Sequence, residues 1–232
     1  MKSLIYVLLL CCTTLLSSQN NVKNADLWKG YGVRNAAGEL QEYKIQQFLL
    51  FDKKEFIIYD INEKMSMTTG DIQIDFEVNT FERTKGTDIA FTIQKDGKSF
   101  EVERIDNAEI RIKNKDLYFL FKRMPLEKQN LQKKTVEQVL IGHSFQLFDV
   151  EKQAPSDNLI HTYKNNETAT YQKKGSSSNW TSAFKILEIG RFVFIKGITS
   201  APLLVTGIEG ECIYCIEMDY RFEPKEVHLL AY

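Results

Sequence analysis

The residues with the most chemical potential stand near the C-terminus, as Cys212-Ile213-Tyr214-Cys215. A C-x-x-C pair can be a redox dithiol when a helix N-terminus lowers the pKa of its first thiol. Here the context is a strand. Cys212, Tyr214, Ile216, Met218, Tyr220 and Phe222 occupy one parity, while Glu211, Glu217, Asp219, Arg221 and Glu223 dominate the other. Such alternation marks a half-buried strand. It predicts Cys212 pointing inward with the apolar set and Cys215 pointing outward, so the two thiols stay unbonded. No second Cys pair or His cluster stands near enough to complete a zinc site.

Other chemistry is thin. His143, His161 and His228 are the only imidazoles, and each reads as a solvent-facing or hydrogen-bonded structural side chain. Asp75 with Glu77 and Glu217 with Asp219 are same-face carboxylate pairs of the kind a glycosidase uses, although on strands they read first as solvated surface. Gly30-Tyr31-Gly32 reads as a bulge or a close backbone approach rather than a phosphate loop. No G-x-S-x-G elbow, H-E-x-x-H, Walker loop or G-x-G-x-x-G is present. No catalytic, cofactor-binding or metal-ligating set is therefore assigned, and no cofactor is expected. Asn166-Glu167-Thr168 and Asn179-Trp180-Thr181 are glycosylation sequons.

The elements that position these residues begin after a separate leader. Met1-Lys2 carries a positive charge, Leu4 to Leu10 is unbroken apolar sequence, and Ser17-Ser18 supplies small residues. That is the pattern of a secretory signal peptide over residues 1–18, with cleavage near Ser18 and a secreted or periplasmic product. The run is shorter than the roughly 20 residues of a membrane-spanning helix, and no later segment approaches that length. With 30 Lys+Arg against 31 Asp+Glu in 232 residues, the chain lacks the basic excess of a nucleic-acid platform.

The remainder reads as strands joined by tight turns: 28–34, 40–51, 55–61, 71–80, 88–94, 99–105, 108–113 and 116–123. Asp96-Gly97 between alternating runs is a strong hairpin signal, and no proline interrupts this stretch before Pro125. The expected fold is all-β, an antiparallel meander that closes into a barrel, because closure removes the exposed edges. Its inward set is expected to include Ile72, Ile74, Phe76, Ile89, Phe91, Ile93, Leu117, Phe119 and Phe121. Pro125 and Gly142 bracket one linking helix of about four turns, lying across the mouth of the first sheet or joining two modules. A second β-rich half comes after it. The expected organisation is residues 19–124 as a barrel, 125–142 as the helix and 143–232 as the C-terminal half. If the first sheet curls on itself, residues 27–141 should fold alone. A faint echo links Glu55-Phe56-Ile57-Ile58 to Arg191-Phe192-Val193-Phe194.

Aromatic residues are abundant, at 15 Phe, 10 Tyr and 2 Trp. Trp28 opening a strand, a meander of about eight strands and a helix after it resemble the lipocalin and related calycin architecture over residues 27–141. Trp28-Lys29-Gly30 stands where that family has Gly-x-Trp, so no binding residues are carried over. The sequence favours a non-enzymatic interaction module for another exported protein or a surface glycan. The alternative is a barrel for a small apolar ligand, and a further alternative is a hydrolase without a recognisable motif.

Overall fold

The computed structural model describes residues 25–41, 46–52, 54–66, 71–126, 131–198, 200–219 and 224–232. The proposed leader and its cleavage point lie outside the described residues.

The first sheet contains β1 (Trp28–Asn35), β2 (Leu40–Gln41), β3 (Gln47–Phe51), β4 (Glu55–Met65), β5 (Ile72–Gly86), β6 (Ala90–Lys95), β7 (Lys98–Arg104), β8 (Glu109–Asn114) and β9 (Leu117–Arg123). Each of β3 to β8 pairs antiparallel with the next, β3 pairs with β1, and β9 returns to β1. With β2 held as a short spur on β1, eight strands close a ring, the expected barrel. One turn and one bulge follow from residue type. Asp96 and Gly97 both take positive φ, at 49° and 74°, as the two central residues of a type I′ hairpin must. Gly30 and Gly32 flank a register shift where β1 pairs with β9, the bulge their spacing predicts.

One helix, α1 (Lys133–Leu140), comes next. It is shorter than the four turns expected, and it does not serve the first sheet. Val136 and Leu140 are fully buried in the core of the second half, so two apolar residues four apart suffice to plug that barrel. Gly142, at φ +85°, ends the helix region and donates its N–H to the Tyr163 carbonyl.

The second half repeats the strand plan of the first. It runs β10 (Ser144–Asp149), β11 (Ala154–Pro155), β12 (Leu159–Tyr163), β13 (Thr168–Lys173), β14 (Asn179–Ile189), β15 (Phe192–Gly197), β16 (Leu203–Glu209), β17 (Cys212–Met218) and β18 (Pro224–Ala231). Again the second strand is a two-residue spur, the third pairs with the first, and the ninth closes on the first. The sequence echo is not the trace of this symmetry. Glu55–Ile58 lies in the fourth strand of its barrel, whereas Phe192–Phe194 lies in the sixth of the other.

Three cores result. Trp28, Leu49, Phe56, Phe81, Phe91, Ile93 and Phe121 fill barrel 1. Phe145, Tyr163, Phe184, Ile195, Ile213, Cys215 and Leu229 fill barrel 2. The third core lies between them, where Phe48, Leu50, Tyr59, Ile61 and Ile74 of barrel 1 meet Leu187, Phe192, Phe194, Leu204 and Met218 of barrel 2. Phe48 and Phe194 pack with centroids 4.8 Å apart. The first sheet thus both curls on itself and is covered on one outer face by barrel 2.

That third core corrects the expected inward set. Phe91, Ile93, Phe119 and Phe121 do line barrel 1, but Ile74 and Phe76 face outward into the contact with barrel 2, and Ile72 borders a cleft against β14. Ile89 and Leu117 are exposed, at 65% and 38%. Alternation separates two faces of a strand without saying which is inside, and β5 buries Ile74 on its outer face and Phe81 on its inner one. The cysteines are corrected for the same reason. Cys215 is buried with Ile213 inside barrel 2, while half-buried Cys212 takes the other face. Both are free thiols, on opposite faces as their spacing requires.

Candidate functional site

The inner face of barrel 1 is divided along its length. At one end four aromatic rings form a floor: Phe51 lies 5.6 Å from Trp28, 5.6 Å from Phe56 and 6.3 Å from Phe91. The Arg83 guanidinium sits 4.2 Å from the centre of the Phe91 ring, a cation–π contact that places charge against the floor without exposing the core. Farther along the barrel is a cavity of about 100 Å³, bounded by Ile58, Phe81, Ile93, Phe100, Ile112, Phe119 and Phe121, with Gln47 and Asn114 as its polar residues. Phe81 and Phe100 meet edge to face across it at 5.7 Å.

The same strands carry a polar chain at the cavity's side. Period-two alternation on β3, β4, β5 and β6 puts Gln47, Asp60, Asn79 and Lys95 on the inner face with Leu49, Ile58, Phe81 and Ile93. The Gln47 amide N–H donates to Asp60 Oδ1. Asn79 Nδ2 donates to Asp60 Oδ2 at 3.2 Å, and Lys95 Nζ donates to Asn79 Oδ1 at 2.5 Å. Asp60 thereby sets the orientation of the Asn79 amide, which presents its oxygen to the ammonium. Lys95 Nζ also lies 5.9 Å from the Phe81 ring centre. Sequence reading missed all four residues, because single polar side chains among apolar alternation read as outer-face positions.

In barrel 2 the corresponding strands carry rings instead. His161, Tyr171 and Trp180 are successive cross-strand partners on β12, β13 and β14. Tyr171 and Trp180 stack at 5.7 Å with planes 17° apart, and His161 meets Tyr171 edge-on at 5.0 Å. The His161 ring nitrogen Nε2 is 3.0 Å from Asp157 Oδ2. Trp180 remains 48% exposed. His161 is thus hydrogen-bonded, as expected of a structural histidine. His228 packs against Tyr214 at 4.6 Å, and His143 is exposed elsewhere. The three imidazoles do not converge.

The carboxylate pairs separate in role. Asp75 and Glu77 both pair with Lys64, Glu77 at 3.0 Å, and hydrogen bonding to them raises the Lys64 ammonium to about 12. Glu217 and Asp219 instead line a cleft of about 990 Å³ between the barrels, with Glu63, Glu151, Lys225 and Glu226. Burial raises the Glu217 carboxyl against the opposing pull of Lys225. No histidine lines that cleft. Among the described residues, no three or more His, Cys, Asp or Glu gather as a metal site, and no helix is long and apolar enough to cross a membrane.

No protein-family model and no curated protein matches the chain. Several solved structures resemble part of it, among them the following two. A lipocalin-like protein from Bacteroides uniformis ATCC 8492 aligns with 44% of this chain and 99% of its own, at 13% identity and a TM-score of 0.31. An uncharacterized protein from Bacteroides eggerthii DSM 20697 aligns over the same shares, at 14% identity and a TM-score of 0.30. The barrel architecture rests on the strand pairing itself.

Proposed function

We propose that the chain is an exported, non-catalytic binding protein, and that barrel 1 takes the apolar end of a small amphipathic molecule. The observation that carries this reading is the apolar cavity of about 100 Å³, open on one side, with polar Gln47 and Asn114 beside it. Small-molecule sites combine an apolar lining with a few placed polar groups, and that combination occurs here on rigid strands. Size constrains the guest. Drug-sized ligands need roughly 300–1,000 Å³, so the small apolar ligand that the sequence allowed must be smaller than that to fit here. The leader pattern in residues 1–18 and the division into 19–124, 125–142 and 143–232 belong to the same reading: an exported pair of barrels with a helix between.

Methyl NMR of the full chain tests it. Adding 1-pentanol should shift the δ1 methyls of Ile58, Ile93 and Ile112 and leave those of Ile186 and Ile213, in the core of barrel 2, in place. Uniform or absent shifts would refute the reading.

A second reading, a surface-glycan module, is favoured by Trp180, whose half-exposed indole stacks on Tyr171. Aromatic faces hold apolar sugar faces, and the neighbouring His161–Asp157 pair offers polar partners. If it holds, oligosaccharides should quench Trp180 emission in a Trp28→Phe background; unchanged emission would exclude it.

A further inference from the structure

We propose that the guest of barrel 1 is a short aliphatic carboxylate, its head held by Lys95 and its tail filling the cavity. The inference rests on the reading of barrel 1 as a binding cup and assigns the chemistry of the head group and the length of the tail.

The head group follows from how Lys95 is held. Its ammonium has three N–H donors. Asn79 Oδ1 takes one at 2.5 Å, and that acceptor is a neutral amide. The nearest acid in the chain of bonds, Asp60, is reached only through Asn79 and already accepts from two amide N–H groups, those of Gln47 and Asn79. Lys95 is therefore positioned by the wall and retains donors for an incoming anion. It stands beside the Phe81 ring, which bounds the cavity, so an acid seated on Lys95 has its alkyl chain at the apolar opening. The Asn114 side chain, also at the cavity, supplies a second donor. An amine would meet the ammonium of Lys95 and be repelled. An alcohol would gain only a neutral-acceptor hydrogen bond, weaker than the charge-assisted one.

Tail length follows from volume. A cavity of about 150 Å³ holds benzene, and a water occupies roughly 30 Å³. The 100 Å³ here therefore admits about three or four methylene-sized groups, which is a butanoate, pentanoate or 3-methylbutanoate tail. The floor of Phe51, Phe56 and Phe91 closes the barrel beyond it, so a ten-carbon acid cannot be swallowed.

Calorimetric titration of the full chain with pentanoate, 1-pentanol, pentylammonium and decanoate tests this. Pentanoate should bind about tenfold or more tightly than 1-pentanol, with pentylammonium and decanoate weaker still. Lys95→Met should erase the preference for acid over alcohol while leaving the alcohol bound, and Lys95→Arg should keep it. Equal affinity of acid and alcohol in the unaltered chain, a comparison that needs no variant, would overturn the inference and leave the cup reading standing. If none of the four binds, the cup reading falls and the inference with it.

Discussion

Lys196 Nζ of barrel 2 lies 2.5 Å from Glu63 Oε1 of barrel 1, with the lysine side chain fully buried. The ammonium also donates to the carbonyls of Gly197 at 2.5 Å and Ser200 at 2.8 Å, so a charge drawn into an apolar interface is met on three sides. A second buried lysine makes the reverse crossing: Lys29 of barrel 1 donates to the Asp219 carbonyl beyond β17 of barrel 2. Breaking one side of a buried pair leaves an uncompensated charge, whereas replacing both by apolar groups is often nearly neutral. Glu63→Ala should therefore lower stability to urea by about 3 kcal/mol. The Lys196→Met/Glu63→Leu double variant should recover most of that loss. A double variant as unstable as the single one would mean the pair does more than compensate its own burial.

Lys29 predicts a pH dependence. Burial lowers its ammonium from 10.5 to about 8, against the opposing charge of Asp219. Between those values the unfolded chain holds a proton that the folded chain has released, so stability rises as pH is raised through that window and is lower beneath it. The full rise from this group is on the order of 3 kcal/mol. The urea midpoint of the unaltered chain, taken relative to that of Lys29→Met, should climb from pH 7.5 through 9 to 10.5. Parallel profiles would show that Lys29 does not titrate this way.

The thiols should differ in reactivity. Burial inside barrel 2 pushes the Cys215 thiol far up, and it pushes up the half-buried Cys212 less. A thiol reagent at neutral pH should modify Cys212 first and reach Cys215 only on unfolding. Denatured, unreduced protein without residues 1–18, and so without Cys11 and Cys12, should take up two labels. A mass two protons light with no label would mean a disulfide.

A chain of residues 25–126 alone would uncover Leu27, Phe48, Leu50, Tyr59, Ile61, Ile74 and Met124, all now buried in the contact with barrel 2. At about 1.5–3 kcal/mol for each such side chain, the exposed face rivals the roughly 5–15 kcal/mol that holds a typical domain together. Ring closure alone, which led to the expectation that residues 27–141 fold independently, does not provide for that face. The fragment should self-associate or bind a hydrophobic dye. A monomer that unfolds cooperatively would show that the outer face tolerates water.

Strand texture was legible throughout, and so was the closure of the first sheet, because alternation and the Asp96-Gly97 turn report local geometry. The pairing of two barrels was not read, yet a signal exists. Phe48-Leu49-Leu50-Phe51 and Phe192-Val193-Phe194-Ile195 do not alternate, and an unbroken apolar run marks a strand covered on both faces. β15 is buried at every position. The Gln47–Asp60–Asn79–Lys95 chain was invisible for a different reason. Its members lie on four strands, and only the register that brings Gln47 opposite Asp60 makes them neighbours.

Crystals of the full chain under xenon pressure give the sharpest check on barrel 1 as a binding cup, since xenon enters apolar cavities. A xenon atom should appear among Ile58, Phe81, Ile93, Phe100 and Ile112, and pentanoate soaked beforehand should exclude it, with its carboxylate on Lys95. A barrel 1 interior that takes up neither xenon nor pentanoate would show that the cup does not exist.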